Sequence, residues 1–267
     1  MSNTTADAHL KSTLFGHPIG LYILFFTEMW ERFSYYGMRA LLVLYMTTET
    51  LGDARGPGLG WTSQEALALY GWYTMLVYVM SIPGGMIADK LLGQKKAVLL
   101  GAVILCIGHG VLVFTETWAF YTGLGLVILG VGLLKPNIST MVGGLYPQGD
   151  IRRDKGFSIF YIGINTGSLL ATLIIGFVVA QWGWHAGFGL AGIAMVLGLV
   201  VYLWGQKYLT HVGNLEVQDK KEEEESSYGT LFQNLLISKK QLTVTIALAI
   251  LSLFGWYSLG WGYGLLF

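Results

Sequence analysis

The chain has 267 residues, of which 54% are hydrophobic and only 12% are charged, and its formal net charge is zero. Soluble domains carry about 25% charged residues, so this composition indicates an integral membrane protein. The balanced charge gives no indication of a nucleic-acid partner, and the single cysteine, Cys106, excludes a disulfide framework and a cysteine-based metal site.

Six long apolar segments follow a polar N-terminal tail at residues 1–17. A helix needs about 20 residues to cross the hydrocarbon layer, and each segment is long enough or nearly so. In chain order the predicted spans are 18–47, 64–91, 97–115, 118–143, 157–180 and 186–206. We therefore predict an all-α membrane protein with a six-helix bundle at residues 18–207.

Local features support these spans. Thr62 and Glu65 have the spacing of a capping box, which marks the start of the second span. Small residues let helix backbones approach closely in lipid, and the chain contains 37 glycines. Those inside apolar runs, for which we predict tight helix packing, include Gly101, Gly108, Gly110, Gly123, Gly125, Gly130 and Gly132.

A polar stretch at residues 208–240 follows the six spans and contains a run of lysines and glutamates. Such a charge run is typical of a solvated linker, and we predict a linker on the cytoplasmic side. Residues 241–267 are apolar again and would begin a further transmembrane or accessory helix. Because the last residues are apolar, we expect that a second helical bundle is missing from this sequence.

The distribution of basic residues predicts the orientation in the membrane. If the N-terminus is cytoplasmic, twelve of the 16 lysines and arginines lie on the cytoplasmic side or in the linker, whereas only Arg55 lies on the opposite side. Short cytoplasmic loops are enriched in lysine and arginine. We therefore predict a multi-pass protein of the bacterial inner membrane with a cytoplasmic N-terminus.

The first span carries ionisable residues, which are costly at membrane depth and mark functional sites there. At about 100° per residue, one stripe of the helix holds Glu28, Glu31, Arg32, Tyr35, Tyr36 and Arg39. Burial favours a neutral carboxylate and a nearby arginine favours a charged one, so movement of the arginine would change proton binding. Structural ion pairs are the alternative, but the stripe favours a proton-coupled solute transporter.

Polar residues in other spans are less specific. Lys135 lies deep in the fourth span and precedes Pro136, which would kink the helix; this favours a cavity wall over a lysine that extends to the membrane surface. Tyr161 and Asn165 share one face of the fifth span. By themselves, these polar residues are more typical of interhelical hydrogen bonds than of a binding cavity, and Tyr78 of the second span is equally ambiguous.

Gly85, Asp89, Gly93 and Lys96 lie around the short connection between the second and third spans. We predict that the two glycines permit tight packing and that Asp89 accepts hydrogen bonds from a neighbouring helix end.

These motifs resemble those of a known family. The connection at residues 85–96 resembles a signature of the major facilitator superfamily. Residues 28–37 are similar to the E-x-x-E-R-F-x-Y-Y-G motif of the proton-dependent oligopeptide transporter (POT) family. The segment 156–167 is similar to that family's helix-five signature, and residues 135–137 to its helix-four lysine motif. The resemblance covers residues 18–207.

The resemblance implies a symporter that imports di- and tripeptides with protons by alternating access, without any cofactor or metal. It assigns proton coupling to Glu28, Glu31 and Arg32, and the peptide carboxylate to Arg39 and Lys135. The peptide cavity would be lined by Tyr35, Tyr36, Tyr78, Tyr161 and Asn165. The family has a second bundle that completes the site, so this chain alone is not expected to form it.

Three other functions fit the sequence less well. A carrier of nitrate or another small anion would need a binding cation but not the acidic pair Glu28 and Glu31. A membrane-embedded enzyme is disfavoured because the sequence contains no phosphate loop, nucleophile motif or metal-ligand cluster. An assembly module without transport activity is supported only by the length of the chain.

Overall fold

The computed structural model describes residues 13–51 and 53–215. These residues form six long α-helices: α1 (Ile19–Thr47), α2 (Ser63–Ile87), α3 (Gln94–Val111), α4 (Thr117–Gly144), α5 (Arg152–Trp182) and α6 (Trp184–Gly205). Each corresponds to one predicted span. The predicted segment 241–267, most of the linker and most of the N-terminal tail lie outside the described residues.

The chain enters the bundle through a short antiparallel hairpin, β1 (Thr13–Leu14) and β2 (His17–Pro18). The sequence predicted only a polar tail here. At the start of α2 the predicted capping box is confirmed, since the backbone N–H of Thr62 donates to Glu65 Oε2 at 3.0 Å and the N–H of Glu65 donates to Thr62 Oγ1 at 3.3 Å.

Five of the six helices, α2 to α6, are long and apolar enough to cross a membrane. The exception is α1, which carries the four ionisable residues of the predicted stripe. Together the helices define a multi-pass membrane protein in which the helix with charged residues along its middle is also one of the most buried.

Helix packing in the bundle is close where glycines face a neighbouring backbone. A Cβ on Gly101 would lie 2.7 Å from the carbonyl oxygen of Gly130, so α3 and α4 cross at main-chain distance. The prediction of tight packing is therefore confirmed at this crossing. It is wrong for Gly110 and Gly125, where a Cβ would meet no described atom within 4 Å.

The predicted turn between α2 and α3 is shorter than expected. The backbone continues from α2 as a π-helical segment (Ala88–Leu92), and Gly93, with φ of 77°, then begins the turn into α3. A Cβ on Gly93 would lie 2.6 Å from the amide nitrogen of Leu215. A side chain is thus disfavoured here both by the backbone conformation and by the lack of space.

The two ends of the bundle differ in charge. The end that carries the N-terminus of α1, here called the basic end, also carries Lys95, Lys96, Arg152 and Lys207. At this end the start of α3 contacts the segment that follows α6, since Lys95 donates its backbone N–H to Gly213 O at 2.8 Å. At the opposite end, Trp184 donates its indole N–H to Gly56 O at 3.2 Å, which joins the α1–α2 and α5–α6 connections.

Candidate functional site

Three charged side chains in the middle of α1 form a buried cluster. Glu28 and Arg32 are each 2% exposed and Glu31 is 0% exposed. Arg32 Nε lies 3.0 Å from Glu28 Oε1, one helical turn away, and also forms an ion pair with Glu31 Oε2. Both glutamates therefore share one guanidinium, an arrangement that requires the two carboxylates to lie side by side.

The charges of the cluster do not balance, because two carboxylates share one guanidinium. With both carboxylates ionised, the two glutamates and Arg32 carry a net charge of −1, and an uncompensated buried charge is costly. Among the described residues, Glu28 Oε2 and Glu31 Oε1 have no hydrogen-bond partner. A proton on either carboxylate would make the three-residue cluster neutral and add a hydrogen-bond donor.

Glycines of α5 allow the bundle to close over this cluster. A Cβ on Gly163 would lie 3.1 Å from the carbonyl oxygen of Phe25, and one on Gly167 would overlap the carbonyl oxygen of Met29 and lie 3.1 Å from Arg32 Cβ. The two glycines are one turn apart in the segment that resembles the helix-five signature. Their spacing lets α5 lie directly against α1 and excludes solvent from Arg32.

The two tyrosines that follow Arg32 have different surroundings. The Arg32 guanidinium lies 5.3 Å from the ring centre of Tyr35 and 5.9 Å from that of Tyr36. Tyr35 is only 3% exposed and stacks on Tyr73 of α2, with ring centres 6.5 Å apart. The structure therefore places Tyr35 in the α1–α2 packing, contrary to its predicted place in a cavity wall, and leaves only Tyr36 partly open.

Arg39 lies two turns further along α1, at the edge of a cavity of about 530 Å³ that we call the Arg39 cavity. Its Nε donates a hydrogen bond to the Tyr70 hydroxyl, and its guanidinium lies 5.1 Å from the Tyr70 ring centre. The cavity is lined by Tyr36, Arg39, Ala40, Tyr70, Ser168, Leu169 and Thr172. A cation at the rim of a partly polar cavity can bind a carboxylate.

The sequence alone does not identify Tyr70 as the partner of Arg39. A signal was present, because Arg39 lies eight residues before the end of α1 and Tyr70 lies seven residues after the start of α2. Consecutive helices joined by a loop run in opposite directions, so these positions lie at similar depth. Depth alone, however, does not say which face of α2 meets α1.

Lys135 of α4 joins the charged cluster to a more open surface. Its Nζ lies 4.5 Å from the ring centre of Tyr78, which is 55% exposed, and its charge acts electrostatically on both Glu28 and Glu31. The predicted Lys135, Tyr78 and acidic pair are therefore brought together by the fold.

Tyr161 and Asn165 lie on the exposed side of α5. Asn165 donates its side-chain amide to the carbonyl oxygen of Tyr161 at 2.9 Å. Ser168 and Thr172, which line the Arg39 cavity, continue the same helical stripe. The two predicted residues therefore extend the polar wall of that cavity along α5.

The predicted motif around the α2–α3 connection is only partly as expected. Asp89 accepts a hydrogen bond from the Gln94 side chain at 3.2 Å, at the start of the neighbouring helix, and Lys96 is exposed. The predicted role of Gly85 in packing is wrong, because a Cβ there would meet no described atom within 4 Å. The packing glycine is Gly84, where a Cβ would overlap the main chain of α4.

Pro136 explains part of that α2–α4 contact. Proline cannot donate to the carbonyl one turn earlier, at Gly132, and this carbonyl faces Gly84 of α2. Asn137 donates its side-chain amide to Leu133 O at 2.7 Å and to Gly84 O at 3.3 Å. The interruption in α4 next to Lys135 is therefore held by hydrogen bonds to both helices.

No group of three or more metal-ligating side chains occurs among residues 13–51 and 53–215. What these residues offer chemically is a buried carboxylate pair that shares one guanidinium, two cations near polar cavity surfaces and several aromatic rings.

Comparisons with known proteins agree with this description. The family described as PTR2, the POT family, matches residues 95–247, which is more than half of the chain. The chain is 49% identical over 212 residues to the uncharacterized transporter YclF of Bacillus subtilis (strain 168), which covers 78% of this chain and 42% of that protein.

It is also 42% identical over 246 residues to a di-/tripeptide transporter of Lactococcus lactis subsp. lactis (strain IL1403), covering 91% of this chain and 47% of that protein. Its fold resembles the crystal structure of a peptide transporter POT in complex with sulfate, with a TM-score of 0.73, 43% identity, and 85% of this chain and 46% of the other covered. The chain thus spans about half the length of the relatives it matches, and it belongs to the POT family.

Proposed function

We propose that the full-length protein containing this chain is a proton-coupled symporter that imports di- and tripeptides by alternating access across the bacterial inner membrane. The observation that carries the proposal is the buried Glu28–Arg32–Glu31 cluster next to Lys135. Family membership and the di-/tripeptide transporter at 42% identity support the substrate class. The proposal involves protons as coupling ions and no other cofactor, and it contains no catalytic step.

Charge balance suggests how a proton and a peptide are coupled. Together with Lys135, the three-residue cluster is neutral when all four groups are ionised. If a peptide carboxylate pairs with Lys135, the lysine no longer compensates the two glutamates, and a proton on Glu28 or Glu31 restores neutrality. Because unpaired buried charge is costly, binding of the peptide and binding of the proton favour each other.

The open polar surfaces supply the peptide site in this proposal. Arg39, held by Tyr70, and Lys135 are the two cations available to the peptide carboxylate. Tyr36, Tyr78, Tyr161 and Asn165 would contact the peptide backbone and side chains. Tyr35 would act indirectly, because its position in the α1–α2 packing orients Arg32.

The remaining architecture follows from the family and the charge distribution. We propose that residues 18–207 form the N-terminal six-helix bundle of a major facilitator superfamily transporter, and that residues 208–240 form the linker that follows it. The basic end would face the cytoplasm, because lysine and arginine are retained there. In this proposal the N-terminus is cytoplasmic.

The test is uptake of labelled dialanine into liposomes that contain the full-length protein, with and without an inward proton gradient. We expect gradient-driven accumulation in the wild type, and in Glu31→Gln a loss of accumulation with downhill exchange retained. Glu49→Gln, the same chemical change at an exposed position, should accumulate dialanine normally. Uptake that ignores both the gradient and Glu31→Gln would contradict the proposal, and competition by nitrate would then identify a small-anion carrier.

A further inference from the structure

The basic end of the bundle contains a second cavity, away from the charged cluster. It lies between the start of α3 and the end of α6, has a volume of about 470 Å³, and is called here the α3–α6 cavity. Its polar side is formed by Lys95, Lys96, Gln206 and Asn214, and its apolar side includes Leu92 and Leu99. Basic and aliphatic groups thus meet in one concave surface.

Main-chain contacts hold the walls of this cavity in place. The backbone N–H of Lys95 donates to Gly213 O at 2.8 Å, and the hydroxyl of buried Tyr202 donates to Lys95 O at 2.9 Å. A Cβ on Gly93 would lie 2.9 Å from Gly213 O. The start of α3, the segment after α6 and α6 itself are therefore tied together around the two lysines.

The cavity continues into an apolar surface of α3. Lys96 lies on the same face of the helix as Leu100, Val103 and Ile107, at spacings of four, seven and eleven residues. These three side chains are 42%, 37% and 53% exposed. The exposed stripe of α5, by contrast, contains a tyrosine and an asparagine. The wholly aliphatic stripe of α3 has the composition of a lipid-facing helix surface.

Aromatic side chains mark a membrane–water boundary at the same end of α6. Trp204 is 64% exposed, its ring centre lies 6.2 Å from that of Tyr208, and Lys207 Nζ lies within 5.1 Å of both ring centres. Tryptophan and tyrosine are enriched where the head groups of the bilayer lie. Gln206 of the cavity lies between these residues in the chain, so the cavity is at head-group depth.

Neither lysine of the cavity has an acidic partner in the part of the chain that the structure describes. Among residues 13–51 and 53–215, the ion pairs involve only arginines, and neither Lys95 nor Lys96 takes part. The cavity therefore has two positive charges to offer a ligand at the membrane surface. A ligand that complements it must carry negative charge at one end and be apolar at the other.

We propose that the α3–α6 cavity binds an anionic phospholipid, with the phosphate between Lys95 and Lys96 and the acyl chains along the leucine and valine stripe of α3. Basic pockets between transmembrane helices on the cytoplasmic side are suited to anionic head groups. The site is separate from the proposed peptide site and does not depend on peptide transport.

The test is native mass spectrometry of the purified full-length protein with phosphatidylglycerol or with phosphatidylcholine of the same chain lengths. We expect retention of phosphatidylglycerol, weakened roughly fivefold by Lys96→Gln and about twenty-five-fold by the double variant Lys95→Gln/Lys96→Gln. The charge-conserving double variant Lys95→Arg/Lys96→Arg should retain the lipid, which shows that the loss is due to charge.

The matched control is Lys155→Gln, which removes an exposed lysine at the same end of the bundle but on α5, outside the cavity. An equal loss of lipid in Lys155→Gln and Lys96→Gln would reduce the effect to general surface charge and overturn the proposal. Full competition by millimolar inorganic phosphate would show that the cavity binds free phosphate, and would overturn the assignment to a lipid.

Discussion

Replacement of Gly167 by alanine should separate α5 from the charged cluster of α1. The added Cβ would overlap the carbonyl oxygen of Met29 and lie 3.1 Å from Arg32 Cβ. Both obstacles belong to α1, and the nearer one is main chain that cannot change rotamer. The two helices must therefore move apart where they now exclude water from Arg32.

The magnitude follows from two opposing effects. Overpacking a close contact costs about 1–3 kcal/mol, whereas alanine favours a helix over glycine by about 1 kcal/mol. Gly176, on the same helix, is the matched control because a Cβ there would meet no described atom within 4 Å. We expect Gly176→Ala to be neutral or slightly stabilising, and Gly167→Ala to be about 1–3 kcal/mol less stable than Gly176→Ala.

The measurement is reversible unfolding of the full-length protein in mixed micelles, with free energies compared at one mole fraction of denaturing detergent. Dialanine uptake provides a second readout, since displacement of Arg32 should reduce gradient-driven accumulation only in Gly167→Ala. Equal stabilities and equal uptake in the two alanine variants would refute the view that close contact at Gly167 keeps the cluster buried.

Three further predictions concern single side chains. Tyr70→Phe removes the hydrogen bond to Arg39 but keeps the ring, so the KM for dialanine should rise by about 2- to 10-fold, and an unchanged KM would exclude a positioning role. Lys135→Gln should raise the KM for dialanine by about 10-fold or more but leave the KM for alanyl-alanine amide unchanged, because the amide has no terminal carboxylate. Equal increases in KM for the two peptides would exclude recognition of the carboxylate by Lys135. The hydrogen bonds from Arg152 lower the pKa of Asp150 to about 2, so the ionised Asp150 stabilises the fold above about pH 4. The difference in free energy of unfolding between wild type and Asp150→Asn should therefore disappear as the pH falls from 4 to 2. A difference that stays constant over this range would contradict the assignment.

Much of the fold could be predicted because the relevant signals are local. Span length and apolarity located all six described helices, and the capping box located the start of α2 to within one residue. The least accurate boundary is that of α5, which begins at Arg152 and not at residue 157. Its first turn is polar, and a test for apolar residues does not detect helix that extends beyond the membrane.

The candidate site was predictable only as a set of residues. The periodicity of one helix placed Glu28, Glu31, Arg32 and Arg39 on a common stripe, since this depends only on 3.6 residues per turn. It did not distinguish Tyr35 from the more open Tyr36. That difference depends on a neighbouring helix, whose rotation about its own axis is not encoded in the spacing of α1.

By itself, the sequence determined that this is a helical membrane protein, where its helices lie and which helix holds the charges, because hydropathy and helical periodicity are properties of neighbouring residues. The tertiary structure decided which of those charges are buried, that Tyr70 holds Arg39, and that α3 and α6 enclose a basic cavity at one end. These features require contacts between residues 30 to more than 100 positions apart. Such contacts depend on how closely the glycine-bearing helix faces can approach one another.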